Sequence, residues 1–291
     1  MATTSSTASN TASNKAREVA RKIRGQPTSD GAGVRMTRVI GSQLLDSFDP
    51  FLLLDEFRSD DPNDYIAGFP DHPHRGFETV TYMLAGRMRH GDNQGNTGLL
   101  GPGSVQWMTA GRGIVHSEFP EQQEGLMWGF QLWVNLPRDQ KMTAPRYQDI
   151  QAEHVPEVDL GAGARARVLV GTIGGVSGPV TDVATEPVYF DLHLTPGASH
   201  TVALPEGHNV FTYVYVGDAK VGAAGTQVQR GELAMLTLGA QLPVTAGTQG
   251  ARLIVVGGRP LKEPVARYGP FVMNTPEEIR QAFADYQAGR L

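Results

Sequence analysis

The 291-residue sequence contains no cysteine. Disulfide bonds, thiolate metal sites and cysteine nucleophiles are therefore excluded, and with them the class of small secreted proteins held together by disulfides. Long hydrophobic runs are also missing, since no segment approaches the ~20 apolar residues that a membrane-spanning helix needs. There is no long basic run, and the formal net charge is -5. Direct binding to nucleic acid through phosphate neutralisation is therefore not expected.

The N-terminal segment is rich in Ser, Thr, Asn and Ala and has no apolar stretch of the kind that a secretory signal needs. We expect residues 1–16 to form a disordered tail and the protein to be soluble and cytoplasmic. Residues 17–24 carry four basic side chains, which we interpret as a solvated edge: Arg17, Arg21, Lys22 and Arg24.

Glycine and proline are frequent, with 35 and 19 residues, and they separate many short β-type runs. This spacing predicts an all-β barrel or sandwich. The predicted strands cover residues 80–84, 104–108, 129–134, 167–170, 188–194, 210–216, 233–238 and 252–256. One helix is predicted near the C-terminus, where Thr275 and Glu278 form a capping box around Pro276.

A short internal repeat is visible in the chain. Residues 77–86 and 208–217 each contain a strand with a Thr-Tyr pair that ends at a glycine. In each copy a later glycine opens another strand, 17 residues on in the first copy and 14 in the second. The repeat predicts two similar barrels joined within residues 137–163. We place the first barrel at 17–150 and the second, with the helix, at 151–291.

The strongest chemical signal lies in two histidine-containing segments of the first barrel. Side chains alternate between faces along a strand, so His72, His74 and Glu78 are expected on one face, and His116 and Glu118 share a face in the same way. A single buried histidine is usually a hydrogen-bonded core residue. Two alternating pairs favour a metal site built from imidazoles and carboxylates instead.

The second half keeps the strand pattern of the repeat without these side chains. The positions that align with the five candidates are Ala203, Pro205, Asn209, Val244 and Ala246. One metal site per chain is therefore predicted, in the first barrel. His90 lies among Gly, Asp and Asn residues, and we expect it to be exposed; no ligand-like pairing is found for His154, His193, His200 and His208.

The longer motifs carry a family resemblance. The spacing of His72, His74 and Glu78, followed by a Gly-Pro-Gly turn, is similar to the cupin superfamily. Four longer segments closely resemble the pirin family within it: residues 71–78, 105–118, 131–137 and 268–275. The resemblance extends from about residue 24 to residue 291. It implies two tandem cupin barrels, of which the second is degenerate and ends in the short helix.

The resemblance also implies a ligand set. His72, His74, His116 and Glu118 would hold one divalent transition metal per chain. Fe(II) is the expected ion, and Mn, Co, Ni, Cu and Zn are compatible alternatives. Glu78 is not counted among the ligands in pirins, so we place it behind them, where it would orient a ligand histidine and set its tautomer.

Two functional classes follow from the resemblance. The first is a quercetin 2,3-dioxygenase, which takes a flavonol and O2 as substrates, with Glu118 as the catalytic base and flavonol 3-hydroxyl proton acceptor. The second is an iron-containing regulatory or redox-sensing protein that binds a transcription factor or a metabolic enzyme. A structural bicupin with an incidental metal is a third, less favoured alternative, because all four ligand positions are present.

Overall fold

The computed structural model describes residues 15–291, so the predicted N-terminal tail lies, up to residue 14, outside the described residues. Within residues 15–291 no helix is long and apolar enough to cross a membrane. The strands of the first half are β1 (Val19–Arg24), β2 (Gln26–Asp30), β3 (Val34–Ile40), β4 (Phe51–Ser59), β5 (Phe69–His74), β6 (Phe77–Ala85), β7 (Met88–Asp92), β8 (Thr97–Leu100), β9 (Val105–Thr109), β10 (Ile114–Pro120), β11 (Met127–Asn135) and β12 (Arg146–Ile150).

The second half of the chain is equally rich in strands. They are β13 (Glu157–Gly161), β14 (Ala164–Val170), β15 (Thr172–Ile173), β16 (Val176–Ser177), β17 (Val188–Leu194), β18 (Ser199–Ala203), β19 (Asn209–Val221), β20 (Thr226–Gln229), β21 (Glu232–Leu236), β22 (Gln241–Gly258), β23 (Ala266–Tyr268) and β24 (Phe271–Met273). The chain ends in α1 (Pro276–Gln287), and short 3₁₀ turns lie at Pro62–Asp64, Arg138–Gln140 and Ala152–His154. Each of the eight predicted strands overlaps one of these strands.

Two antiparallel sheets form the first barrel. One has seven strands in the order β12-β9-β6-β11-β4-β3-β2, and the other has four in the order β5-β10-β7-β8. Their apolar inner side chains meet in one cluster, in which Met83 and Met127 from the larger sheet contact Met88 and Leu100 from the smaller. Burial of these side chains holds the two layers face to face.

The second barrel is built from one sheet of nine strands, whose main path runs β1-β21-β19-β22-β17-β14-β13. The register between the long strands β19 and β22 shifts after Gly217, where φ is +70° and an added Cβ would lie 2.0 Å from the Gly250 carbonyl oxygen. The order β21-β19-β22-β17 repeats the order β9-β6-β11-β4 of the first barrel. The predicted internal repeat is therefore a repeat of strand pairing.

The two barrels pack against each other through the outer faces of their central strands. Val80, Tyr82 and Trp107 share one buried cluster with Tyr213 and Tyr215 of the second barrel. Polar groups cross the same interface. The Tyr82 hydroxyl donates to Asp191 Oδ2 at 2.8 Å, and the Tyr213 hydroxyl donates to Glu56 Oε2 at 2.5 Å. The interface thus combines apolar burial with hydrogen bonds to buried carboxylates.

The N-terminal strand packs with the second barrel, and the C-terminal hairpin and helix pack with the first. Strand β1 pairs with β21 of the second barrel, while the β23–β24 hairpin and α1 return to the first. There Lys141, which is 1% exposed, donates through Nζ to the Gly76 and Val272 carbonyls at 2.7 and 3.0 Å. Strand β1 thus extends the sheet of the second barrel and residues 266–291 lie against the first, while the boundaries at 17–150 and 151–291 stay a prediction.

The basic N-terminal segment differs from the predicted solvated edge at one residue. Arg17 is fully buried, and its guanidinium donates to the carbonyls of His208, Thr237 and Pro205 at 3.1, 3.0 and 2.7 Å. A buried N–H group needs an acceptor, and the acceptors here are carbonyls of the second barrel. Arg17 therefore attaches the segment before β1 to that barrel. Lys22 pairs with Glu232 at the surface, as expected of a solvated charge.

The predicted helix is confirmed with its cap. Thr275 Oγ1 accepts from the Glu278 amide at 3.2 Å, and the Glu278 side chain accepts from the Thr275 amide at 2.9 Å. Gly289 follows the helix with φ +66°, in the left-handed conformation that ends helices. Ile279 and Ala282 bury the apolar side of α1 against the β23–β24 hairpin.

Candidate metal centre

Three histidines meet inside the first barrel. Strand β10 lies beside β5, and their register places His116 directly opposite His72 and Ile114 opposite His74. Since directly opposed residues share a face, all three imidazoles point to the barrel interior. Their candidate ligand nitrogens lie within 4.8 Å of one another. His116 and His74 are buried, at 0% and 2% exposure.

The nitrogens of these rings are arranged as metal ligands would be. His72 Nδ1 lies 2.8 Å from the Pro70 carbonyl, which only accepts, so Nδ1 carries the proton and Nε2 keeps its lone pair. That Nε2 lies 3.1 Å from His74 Nε2. Two nitrogens bound at ~2.1 Å in neighbouring octahedral positions would be separated by roughly 3 Å. Among the described residues, neither ring nitrogen of His116 has a hydrogen-bond partner.

The electrostatics of the cluster favour neutral rings. Burial, followed by the neighbouring imidazoles, holds the pKa of His74 and of His116 well below the usual range. A neutral imidazole is the form that binds a metal. The spacing of the three rings, the burial of His74 and His116 and the unpaired nitrogens of His116 therefore fit a divalent transition metal, and His72, His74 and His116 would hold it.

Glu118 lines the same cavity but lies outside the three-histidine group. A bulge separates the two positions on β10, because His116 faces His72 whereas Glu118 faces Phe69. Glu118 is 4% exposed, and its Oε1 accepts from Gln131 Nε2 at 3.4 Å. Burial raises the pKa of this carboxyl, an environment suited to proton transfer.

Glu78 does not lie behind the ligands, contrary to the expectation from strand alternation. The alternation is broken at Gly76, where φ is +88° and an added Cβ would lie 1.9 Å from the Val272 carbonyl oxygen. Glu78 therefore shares the outer face of β6 with Val80. Its Oε1 accepts from Thr109 Oγ1 at 2.7 Å, and burial raises the pKa of Glu78 to about 7. No contact between this carboxyl and a candidate ligand is found among the described residues.

His90 is buried, whereas the sequence suggested an exposed loop. It lies in β7 directly opposite Glu118 and is 2% exposed. Its Nε2 lies 2.9 Å from Asp149 Oδ2, and its ring stacks on Tyr147 with the ring centroids 5.3 Å apart. The carboxylate and the aromatic ring fix the orientation of this imidazole beside Glu118.

A row of polar side chains crosses the inner face of the larger sheet. Each member lies directly opposite the next across six neighbouring strands, from Asp149 through Gln106, Thr81, Gln131 and Asp55 to Arg38. Thr81 Oγ1 donates to Gln131 Oε1 at 2.7 Å, which leaves the Gln131 amide free to donate to Glu118. The row thus links the neighbourhood of Glu118 to both edges of the barrel.

A cavity of about 530 Å³ opens from His72 and His74 toward the barrel mouth. Trp133 forms one wall, with its ring centroid 5.2 Å from that of His74, and the Arg267 guanidinium lies 4.9 Å from the Trp133 ring centroid. Apolar side chains cover much of the remaining wall: Met36, Leu53, Phe57, Phe69 and Met88. Since Arg267 belongs to β23, the C-terminal hairpin completes the mouth.

Comparison with known proteins matches two segments of the chain. Residues 33–134 match the Pirin family, and residues 189–291 match the Pirin C-terminal cupin domain. A Pseudomonas aeruginosa protein that is provisionally named a quercetin 2,3-dioxygenase is 52% identical over 276 residues, covering 92% of this chain and 95% of its own length. The chain belongs to the pirin family.

Solved structures agree with this pirin in fold. The crystal structure of a quercetin 2,3-dioxygenase from Acinetobacter baumannii superposes with a TM-score of 0.87 at 34% identity, covering 94% of this chain and 98% of its own. A bacterial pirin from Escherichia coli, crystallised with nickel(II), has a TM-score of 0.65 at 16% identity, covering 82% and 99%, and shows a shared fold alone. The predicted pirin membership and the all-β two-cupin architecture are confirmed.

Sequence reasoning missed several inner side chains of this pirin. Gln106 and Gln131 each stand alone between apolar neighbours in a strand, and a single amide in a buried strand is the signal that could have drawn attention to them. Asp149 gave no such signal, because its role depends on a strand pairing that no local pattern reveals. Within residues 15–291 no second cluster of potential metal ligands is found.

Proposed function

We propose that this pirin is a flavonol 2,3-dioxygenase that acts on quercetin or a similar aromatic substrate, with one iron held by His72, His74, His116 and Glu118. The observation that supports this proposal is the group of three histidines whose ligand nitrogens lie within 4.8 Å of one another, with both nitrogens of His116 unpaired and with His72 and His74 lining a largely apolar cavity. The identity to a Pseudomonas aeruginosa protein of that provisional name supports the same reaction.

The proposed ligands are compatible with several metal ions. Three neutral imidazoles and one carboxylate suit Fe(II), and also Mn, Co, Ni, Cu or Zn. When bound, the ion would lower the pKa of the substrate hydroxyl and supply the electronic coupling between flavonol and dioxygen. In the overall reaction both atoms of O2 enter the opened product and carbon monoxide is released.

Glu118 is the proposed base for the flavonol 3-hydroxyl. Its carboxylate lines the cavity, and a carboxylate oxygen placed there can accept a proton from a bound hydroxyl. The Gln131 amide holds one carboxylate oxygen, and Thr81 holds Gln131 in turn. The proton would move from the 3-hydroxyl to a carboxylate oxygen of Glu118.

The cavity walls would orient the substrate and keep water away. Trp133 lines the cavity beside His74, and Phe57 and Phe69 add further aromatic surface. Planar rings pack well against such surfaces. A flavonol held between these walls would present its 3-hydroxyl to the base of the cavity, so that the reacting groups meet without a separate encounter.

The test is aerobic decay of the quercetin absorbance with iron-loaded protein. We expect decay with the wild-type protein and none above background with His116→Ala, because one of three imidazoles is removed. Iron content is measured for both proteins. No decay by wild-type protein with iron confirmed bound would refute the proposed activity.

The role of Glu118 is tested separately. Glu118→Gln keeps the size and the Gln131 contact but removes the basic oxygen, so we expect turnover to fall much more than iron content. Equal losses of turnover and iron would instead make Glu118 a ligand without a role as base. His116→Ala provides the reference for loss of the metal.

A regulatory role is the second candidate, and one surface favours it. Tyr268 and Val265 are 69% and 49% exposed, and they flank Arg267, which lines the cavity. A partner such as a transcription factor or a metabolic enzyme would bind this apolar surface. Because the surface lies next to the metal centre, a change in the charge of the ion would change the affinity for that partner. A pull-down from the source cells that recovers no stoichiometric partner would count against this role.

A further inference from the structure

The cavity has a charged group at its mouth, distinct from the histidines. It consists of Asp30, Arg38 and Asp55, which we call the Asp30 cluster. Arg38 donates to Asp55 through Nε and one terminal nitrogen at 3.0 and 2.7 Å, and the same terminal nitrogen lies 2.9 Å from Asp30 Oδ2. All three side chains line the cavity.

The position of the cluster follows from the polar row. Asp55 lies directly opposite Gln131, the side chain that contacts Glu118, and Arg38 lies directly opposite Asp55 on the next strand. Neighbouring strands are ~4.8 Å apart, so Arg38 is roughly 10 Å from Gln131 across the sheet. A fused two-ring molecule with a third ring attached can span this distance.

The members of the cluster differ in how much of each remains accessible. The Asp55 side chain is 4% exposed and is fully engaged by Arg38, whereas the side chains of Arg38 and Asp30 are 20% and 57% exposed. Partial burial acts to raise the pKa of Asp30, but the bonds from Arg38 and the Gly31 amide outweigh it and lower the pKa. Asp30 thus offers an ionised carboxylate beside a guanidinium.

This pairing of charges selects the kind of group that can bind. Arg267 lines the same cavity and interacts with all three side chains, so two carboxylates and two guanidinium groups lie close together here. A carboxylate or phosphate on the ligand would meet Asp30 and Asp55, and an ammonium group would meet Arg38 and Arg267, so each would face like charge. A hydroxyl can donate to Asp30 and accept from Arg38 at once. A phenolic hydroxyl on a planar ring would satisfy both partners and still pack along the apolar wall.

We propose that the Asp30 cluster is the binding subsite for phenolic hydroxyls on the part of the substrate remote from the metal. The inference rests on the proposed function, since it assumes that an aromatic hydroxyl reaches the histidines. It adds that this pirin prefers polyhydroxylated flavonols to those that carry the 3-hydroxyl alone. Asp30 is then a specificity-determining residue.

The experiment compares two ligands and three proteins. Quercetin carries four hydroxyls besides the 3-hydroxyl, and 3-hydroxyflavone carries none. Binding to iron-loaded protein is titrated without oxygen by quenching of tryptophan fluorescence, because Trp133 lines the cavity. The proteins are wild type, Asp30→Asn and the control Asp64→Asn. Asp64 forms an ion pair with Arg35, which lies on β3 as Arg38 does, but Asp64 does not line this cavity.

We expect Asp30→Asn to raise the Kd for quercetin about tenfold, the effect of losing a hydrogen bond to a charged group, and to change the Kd for 3-hydroxyflavone less than about twofold. Asp64→Asn should leave both values unchanged. Equal effects of Asp30→Asn on the two ligands, or none on either, would overturn the subsite while leaving the dioxygenase proposal in place. Failure of the wild-type protein to bind either flavonol would overturn both.

Discussion

Glu78 offers a sharp test of how the buried interface between the barrels responds to pH. The side chain is 2% exposed, and only one carboxyl oxygen has a hydrogen-bond partner among the described residues, the Thr109 hydroxyl. Burial raises the pKa of Glu78 from 4.5 to about 7. The folded protein therefore keeps a proton on this carboxyl at pH values where the unfolded chain has lost it.

The size of the effect follows from the two pKa values. Each pKa unit corresponds to ~1.4 kcal/mol, so the interval from 4.5 to about 7 amounts to roughly 3 kcal/mol. Below pH 4.5 both states are protonated, and the group carries no penalty. Between pH 4.5 and about 7 the unfolded chain releases this proton while the folded protein keeps it, so the free energy of unfolding falls by up to that amount and levels off above pH 7.

We expect Glu78→Gln to remove this dependence, because glutamine is the uncharged counterpart of the protonated side chain. Urea unfolding at pH 5 and pH 8.5 is the assay. The variant should match the wild type within about 1 kcal/mol at pH 5 and exceed it by about 3 kcal/mol at pH 8.5. The control is Glu124→Gln, at an exposed position in the loop before β11.

Parallel pH profiles for the wild type and Glu78→Gln would refute the reasoning. The same variant also examines the earlier expectation that Glu78 supports a metal ligand. Because Glu78 lies on the outer face of β6, we expect the iron affinity of Glu78→Gln to equal that of the wild type. A clear loss of iron would show that this carboxyl acts on the histidines after all.

Three further substitutions examine the contacts that hold the molecule together. Lys141→Met leaves buried acceptors without a donor and should lower the free energy of unfolding by about 3 kcal/mol, measured by urea titration. Tyr82→Phe removes one donor to Asp191 across the barrel interface and should lower it by about 2 kcal/mol in the same assay, with no change in iron content. Thr275→Ala removes the cap of α1 and should lower it by about 1 kcal/mol, seen as a reduced melting temperature in calorimetry.

Short sequence patterns were sufficient to predict the features that depend on neighbouring residues only. The predicted strands, the capping box at Thr275 and the pairing of His72 with His74 all rest on spacing within one segment. The convergence of His116 with them needed only that β5 and β10 pair in the same sheet. The repeat of residues 77–86 at 208–217 likewise reflects a real repeat in strand order.

The expectations that differ from the structure concern residues placed by one irregular backbone position or by partners far away in the sequence. Gly76 interrupts the alternation that would have put Glu78 beside the histidines. His90 is buried because Asp149, 59 residues later, is brought to its ring by the β12–β9 pairing. Arg17 is buried by carbonyls nearly 200 residues away. Polar residues of this kind look like surface residues until their partners are known.

The exchange of terminal strands has a consequence for how the chain acquires its structure during synthesis. Strand β1 leaves the ribosome first, yet its partner β21 is made about 210 residues later. At ~5–20 residues per second, β1 waits some 10–40 s for that partner. The hairpin that completes the mouth of the metal cavity is made later still. The cavity of the first barrel, whose own strands are translated early, therefore lacks Arg267 at its mouth until the C-terminal hairpin has been made.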